Sequence, residues 1–264
     1  MGAADFAYFD ASTPIGLAHR GGAKLAANLR LENTMAAFRE AVRLGYRYLE
    51  TDVHATADGV LLALHDHRLD RVTTSAGLVA RLPYAEVRRA RINGTEEIPL
   101  LSELLEEFPS TRFNIDVKAR GALDPLAEVI RRHDALDRVC VGSFSDRRLQ
   151  TVRRLLGPRL ATAAGPAEVA ALRLAPEHIL RWLRSPAPVL QIPTGHVVAG
   201  RRLDLVTPEL LDRAHALGKH VHVWTIDDAA EMHRLFDLGV DGIVSDRIDT
   251  LAAVLAQRGV PLRQ

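Results

Sequence analysis

Short apolar or β-branched runs alternate with amphipathic stretches from one end of the chain to the other. The runs at 15–19, 47–53, 112–118, 138–143, 159–163, 188–192, 219–225 and 241–245 read as strands, and the stretches at 33–45, 100–108, 122–134, 145–156, 166–183, 207–217, 227–238 and 248–258 read as helices. Such alternation marks βα units around a parallel sheet, and eight of them favour a closed (β/α)8 barrel over an open sheet. The further run 60–65 follows 47–53 too closely for a crossover, so it reads as the return arm of a β-hairpin. Residues 67–99 then form an insertion after the second strand, with a short helix starting near Pro83. No internal repeat, low-complexity tract or linker interrupts the pattern, and residues 1–264 are expected to form a single domain.

The hairpin carries the most pointed chemistry. Glu50 and Asp52 are two apart and so share one face of their strand. Asp58-Gly59 is a strong turn signal, and a two-residue turn there sets His65 opposite Asp52. Two carboxylates and a histidine on rigid backbone make a candidate site for a metal and for proton transfer. Barrel active sites lie at the C-terminal ends of the strands, where His19-Arg20, Glu50-Thr51-Asp52, Asn114-Ile115-Asp116-Val117-Lys118, Ser143, Gln191 and Trp224-Thr225 gather polar groups.

Composition narrows the partners. The chain is 47% hydrophobic and 25% charged with a formal charge of +1, enough apolar matter for a large core and no basic run that would hold nucleic acid or an anionic membrane. Only Lys24, Lys118 and Lys219 are lysines, and the Arg and Ala bias points to a GC-rich bacterial genome. Cys140 is the single cysteine, reads as a core residue, and excludes an intrachain disulfide. Neither a signal peptide nor a membrane span is readable, so a cytoplasmic location is expected.

Other residues widen the candidate set. Gly21 and Gly22 after His19-Arg20 would let backbone approach a ligand, with Arg20 offering a planar fork to phosphate. Asn33 or Thr34 reads as a helix N-cap, while Glu32 is placed to reach the site. Asn114, Asp116 and Lys118 share one parity, which supplies a third carboxylate and a point charge. Trp224 offers an apolar wall, and His222 is a candidate to face inward. His54 is read as lying beyond the barrel rim without a role, and His133, His178, His196, His215, His220 and His233 as surface or flanking imidazoles.

Taken together, His19-Arg20-Gly21, Glu32-Asn33-Thr34, Glu50-x-Asp52-Val53, Thr56-x-Asp58-Gly59, His65-Asp66, Leu69-Asp70-Arg71-x-Thr73, Asn114-Ile115-Asp116-Val117-Lys118, Ser143-Phe144, Trp224-Thr225 and Gly239-Val240-Asp241-Gly242-Ile243 form an ordered set. In that set, which spans roughly 15–256, the chain resembles the glycerophosphodiester phosphodiesterases of the phospholipase C-like TIM-barrel superfamily. The resemblance implies a metal-dependent hydrolase of lipid and glycerol metabolism that cleaves small-molecule glycerophosphodiesters to glycerol 3-phosphate and an alcohol. It implies Glu50, Asp52 and Asp116 as ligands of one Mg²⁺ or Ca²⁺, His19 and His65 as the general acid and base pair, and Arg20 and Lys118 as phosphate holders, with Glu32 and Trp224 around the substrate. Two departures stand out: many members carry Glu where this chain has Asp116, and Val244-Ser245-Asp246-Arg247 replaces a commoner Thr-Asp-x-Pro ending, a change expected to leave the catalytic set untouched.

A phosphodiester resists attack because charge builds on both incoming and leaving oxygens, so a site must neutralise and position more than it must react. His19 is assigned the base and His65 the acid, although the sequence itself does not order them. Three rivals remain: a related barrel phospholipase acting on lysophospholipid or sphingomyelin headgroups, a lyase forming a Schiff base at Lys118, and a non-catalytic phosphodiester-binding barrel. Headgroup, metal identity and oligomeric state are not legible at this level.

Overall fold

The computed structural model describes residues 1–11, 13–176, 185–198 and 200–262. Its centre is a nearly closed barrel of eight parallel strands: β1 (Ile15–His19), β2 (Tyr48–Ala55), β4 (Arg112–Val117), β5 (Val139–Gly142), β6 (Ala161–Thr162), β7 (Val189–Ile192), β10 (His220–Val223) and β11 (Gly242–Ser245). The sheet runs β6-β5-β4-β2-β1-β11-β10-β7, and the seam between its ends is bridged where Ala163 pairs with Val189 and the Ala164 N–H donates to the Val189 carbonyl at 2.8 Å. The (β/α)8 expectation is met: β1 matches its run, β2 starts one residue later and extends past its run to Ala55, and the other six strands are shorter than theirs.

Helices Met35–Arg43, Leu101–Glu107, Leu123–Arg132, Asp146–Leu156, Pro166–Leu174, Pro208–Ala216, Ala229–Leu238 and Ile248–Gln257 follow the strands in turn, and Tyr84–Val87 is the short helix of the insertion. The expected helix 166–183 is thus seen as Pro166–Leu174, and the rest of it from 177, including His178, lies outside the described residues. The polar stretch after β7 was not expected to pair, yet it forms an antiparallel hairpin of β8 (Gly195–Val198) and β9 (Arg201–Asp204). Among the described residues no helix is long and apolar enough to cross a membrane.

Strand parity sorts the core into layers. Leu49, Val53, Phe113, Ile115, Val117, Val139, Val141, Val221, Val223 and Ile243 point outward under the helices, and each buried side chain of this size contributes roughly 1.5–3 kcal/mol. Leu17, Tyr48, Cys140, Ala161, Val189 and Val244 point inward. The floor comes from outside the barrel: Phe6, Tyr8 and Phe9 of the N-terminal turns pack into the inner cluster, and the Tyr48 hydroxyl donates to the Tyr8 carbonyl at 2.8 Å. The insertion has a small core of its own, in which Leu62, Leu64, Leu69, Val79 and Ile92 are fully buried or nearly so.

The hairpin register differs from expectation by one residue. β3 (Leu61–Ala63) pairs Val53 with Ala63 and His54 with Leu62. Gly59 takes the left-handed conformation (φ +82°), its N–H donates to the Thr56 carbonyl at 3.1 Å and the Thr56 N–H donates to Val60 at 3.0 Å, so the loop has three residues, 57 to 59, where two were expected. Leu64, whose N–H donates to the Asp52 carbonyl at 2.9 Å, takes the place foreseen for His65. His65 reaches the barrel mouth from the bend that follows β3.

Candidate active site

The inward positions at the C-terminal strand ends bring Glu50, Asp52, Asn114 and Asp116 side by side, because β2 and β4 pair Glu50 with Asn114 and Asp52 with Asp116. Glu50 and Asp52 are buried, at 6% and 1% exposure, so their charges need compensation from protein or ligand. Lys118 supplies part of it: its Nζ lies 2.9 Å from Asp52 Oδ1 and 2.7 Å from Asp116 Oδ2. Arg20 supplies more, with Nε 3.1 Å from Asp52 Oδ2 and Nη1 3.2 Å from Glu32 Oε1. Burial alone would raise Asp52, but Lys118 and Arg20 outweigh it and hold its pKa below the ordinary carboxylate value. Lys118 gains the reciprocal effect, raised by Asp52 and Asp116 against its own burial. Glu50 lacks such a partner and is pushed up to about 7 by burial and by the charge of Asp52.

The three carboxylates predicted as metal ligands are therefore neighbours, but two of them turn toward Lys118. Among the described residues no group of three or more His, Cys, Asp and Glu has the arrangement of a metal cluster. Asp116 keeps one oxygen, Oδ1, buried without a hydrogen-bond partner.

Each predicted histidine is held by an aspartate. His19 Nδ1 lies 2.6 Å from Asp246 Oδ1, and its Nε2 lies 3.7 Å from Glu50 Oε2. His65 Nδ1 lies 2.6 Å from Asp66 Oδ1. An ionised carboxylate only accepts hydrogen bonds, so Nδ1 donates in both pairs and the neutral ring presents a bare Nε2. Burial lowers the pKa of His19, but Glu50 and Asp246 outweigh it and the net direction is upward. Asp66 falls to about 2, because Arg71 and His65 overcome its desolvation.

Arg71 joins the insertion to the barrel. Its Nε lies 2.5 Å from Asp66 Oδ2, and its two terminal nitrogens lie 2.5 and 2.9 Å from the Glu32 oxygens. Glu32 thus accepts from both Arg20 and Arg71. The hairpin tip is tied down as well, since Asp58 accepts the Tyr84 N–H at 2.9 Å from the start of the insertion helix.

Several expectations need revision. Thr34 is the helix N-cap, accepting the Ala37 N–H at 3.1 Å, but Asn33 is not: fully buried, with φ +58°, it accepts from Thr51 Oγ1 at 2.8 Å and donates to Asp52 Oδ2 at 3.3 Å. The structure gives Gly21 and Gly22 a packing role. Both have positive φ, and a Cβ would stand 2.8 Å from Ala37 Cβ and 2.4 Å from Ile248, so close packing on two helices requires glycine there. His54 is no spectator, because its Nε2 donates to the His65 carbonyl at 3.1 Å. His222 does face inward, but below the mouth, with both ring nitrogens unbonded and its pKa pushed well down by burial against Phe9. Trp224 is half-buried and meets exposed Phe144 edge-on at 5.6 Å between ring centroids.

Asp246 is the residue that the sequence pattern missed. It lies beyond β11, and Asp227 anchors its loop by accepting from the Asp246 N–H at 2.9 Å and from Ser245 Oγ at 3.0 Å. The altered ending was expected to leave the catalytic set untouched, yet it provides the partner of His19.

Comparison with known proteins agrees with this architecture. The model of the glycerophosphoryl diester phosphodiesterase family matches residues 19–250. The probable glycerophosphodiester phosphodiesterase 2 of Mycobacterium tuberculosis is 41% identical over 250 residues, covering 93% of this chain and 92% of its own. A putative glycerophosphoryl diester phosphodiesterase from Silicibacter pomeroyi superposes with a TM-score of 0.79 at 24% identity, over 97% of this chain and 99% of its own. A phosphodiesterase from Oleispira antarctica, solved with its product sn-glycerol-3-phosphate, gives 0.77 at 24% identity, over 92% of this chain and 97% of its own.

Proposed function

The chain belongs to the glycerophosphoryl diester phosphodiesterase family and is an enzyme of that kind, and on that premise we propose that it hydrolyses small glycerophosphodiesters to glycerol 3-phosphate and an alcohol by paired histidines at a divalent-metal site. The observation that carries the reading is the matched pair of Asp–His contacts, Asp246 on His19 and Asp66 on His65, each of which engages Nδ1 and leaves Nε2 to take a proton as a base or to give one as an acid. Binding alone needs no such pair.

A divalent ion fits the chemistry of the donors. Oxygen ligands suit Mg²⁺ or Ca²⁺, Asp116 Oδ1 is buried and unpartnered, and Glu50 has a pKa raised by its burial and by the charge of Asp52 beside it. Glu50, Asp52 and Asp116 would hold the ion, whose charge would offset that of the phosphoryl oxygens. Arg20 and Lys118 stand at the same mouth as fixed positive charges for the phosphodiester. Asp52 is the acid common to both, so the phosphate would compete with it for their hydrogens.

His19 is the base in this reading. Its contact with Glu50 supports a role in taking the proton of the attacking oxygen, either water directly or the glycerol 2-hydroxyl, in which case a water molecule would then open the cyclic phosphate to glycerol 3-phosphate. His65 then gives its proton to the leaving alcohol oxygen as the P–O bond breaks. An imidazole with a pKa near neutrality suits both transfers. Glu32 and Arg71 hold Arg20 and Asp66 in place, Trp224 walls the mouth, and residues 1–264 act as one domain. Lys118 as a Schiff-base lysine is disfavoured, since its ammonium is paired with two carboxylates and its pKa is raised.

A screen of glycerophosphodiesters with Mg²⁺, Ca²⁺ and Mn²⁺, reading release of glycerol 3-phosphate, tests the proposal. Release with at least one ion and none after chelation is expected. Full hydrolysis in the presence of a chelator would remove the metal from the mechanism, and no release under any condition would overturn the reading.

A further inference from the structure

A cavity of about 520 Å³ opens on the insertion side of the mouth, within the usual range of small-molecule sites. Its lining includes His65 and Lys118, the apolar Leu78 and Ala119, and His67 and Arg81. The reading above makes His65 the acid, and a general acid must touch the oxygen that it protonates. The leaving alcohol then lies in the cavity that His65 lines.

The charges around that cavity are unbalanced. Asp66 is its acid, and Asp66 is already engaged by His65 Nδ1 at 2.6 Å and Arg71 Nε at 2.5 Å. Lys118 is spent on Asp52 and Asp116. Arg81 is exposed and makes no ion pair among the described residues. Quaternary ammonium groups are held by aromatic faces, and none of the described residues lining the cavity is Trp, Tyr or Phe. Phe144, which does not line the cavity, already has Lys118 Nζ 6.0 Å from its centroid.

Resting on the hydrolase reading, we propose that this cavity receives the leaving alcohol and, through Arg81 and the His67 ring, selects an alcohol that carries a further anion over one that carries trimethylammonium. The step balances as ordinary hydrolysis: the attacking oxygen bonds to phosphorus and loses its proton to His19, the bond to the alcohol oxygen breaks, and that oxygen takes the proton from His65. Nothing is oxidised or reduced. An exposed charge shifts binding by a few-fold, and the swing from repelling a cation to attracting an anion doubles the effect on a logarithmic scale.

The test compares kcat/KM for glycerophosphoinositol 4-phosphate and glycerophosphocholine in the intact protein, with the cation that best supports turnover. A preference of about tenfold for the phosphorylated alcohol is expected, shrinking as salt is raised. Arg81→Gln is expected to bring the ratio toward one, whereas Arg89→Gln, an exposed cation off the cavity, leaves it unchanged. Equal rates, a preference for the choline ester, or a ratio indifferent to Arg81→Gln would overturn the selectivity while the hydrolase reading stood. Release of glycerol 3-phosphate from neither compound with any of the three ions would overturn that reading and the selectivity with it.

Discussion

Asp246 Oδ1 lies 2.6 Å from His19 Nδ1 and so ties the loop beyond the last barrel strand to the end of the first. The contact gives His19 one tautomer, with Nε2 turned to Glu50 at 3.7 Å. It also raises the affinity of the ring for a proton, together with Glu50 and against the effect of burial. A base must be neutral to act, so kcat/KM is expected to rise with pH as His19 loses its proton. Asp246→Asn should lower kcat by about 10²-fold and move the midpoint of that rise to lower pH, since one of the groups that favours the protonated form of His19 is gone. A pH–rate profile of the variant checks both; an unshifted midpoint would separate Asp246 from the titration of His19.

His19→Ala and His65→Ala are each expected to cost about 10²- to 10⁴-fold in kcat. The double variant should be little worse than the poorer single one, because removing either histidine already breaks the coupled transfer. Steady-state rates of the three variants on one substrate test this, and losses that multiply would mean that the rings act independently.

Glu50 makes the metal-free protein sensitive to pH. Its folded pKa, about 7, lies above its unfolded value of 4.5, so its neutral form is favoured by folding. The stability that this confers is complete below 4.5 and is lost as pH rises through 7, to a limit of about 3 kcal/mol. Denaturant midpoints of chelated protein should fall across that window, and Glu50→Gln should flatten the fall. Adding the divalent ion should restore stability at the upper end of the window and raise the melting temperature in proportion to its logarithmic concentration. A chelated wild type that does not weaken between these pH values would contradict the account.

Arg71 is the clasp between insertion and barrel, so Arg71→Ala is expected to free Asp66 and Glu32 together. The exposed part of this network contributes little to global stability. The expected signature is a roughly tenfold loss of kcat with a melting temperature within a few degrees of wild type, read by parallel kinetics and thermal denaturation. A large thermal shift without a kinetic loss would make Arg71 a purely structural residue.

The eight strands were legible because apolar runs and amphipathic stretches alternate along the chain outside the hairpin arm 60–65 and the insertion 67–99, and the parity of Glu50 with Asp52 and of Asn114 with Asp116 and Lys118 follows from the strand repeat. What escaped depended on distance or on local turn geometry. The partner of His19 is 227 residues away and is created only when the ring closes. Asn33 carries the signature of a cap, and nothing local reveals that its amide is drawn into the barrel by Thr51 and Asp52. The hairpin slipped by one because Asp58-Gly59 fits either a two-residue turn or the end of a three-residue loop, and the Thr56 contacts to Asp58 and Val60 choose the second. The β8–β9 pair joins only four residues on each side, Gly-His-Val-Val and Arg-Arg-Leu-Asp, too short and mixed a pattern for periodicity alone to find.

Phe6, Tyr8 and Phe9 pack into the inner cluster at the foot of the barrel, so the proposed substrate would enter and its products leave by the mouth at the strand ends. If the alcohol occupies the cavity on the insertion side and the phosphate is held deeper by Arg20 and Lys118, as proposed, the two products leave in sequence. The alcohol should therefore diffuse out first and glycerol 3-phosphate last. In product-inhibition kinetics glycerol 3-phosphate would then compete with substrate for the empty enzyme, and the alcohol would act as a noncompetitive inhibitor.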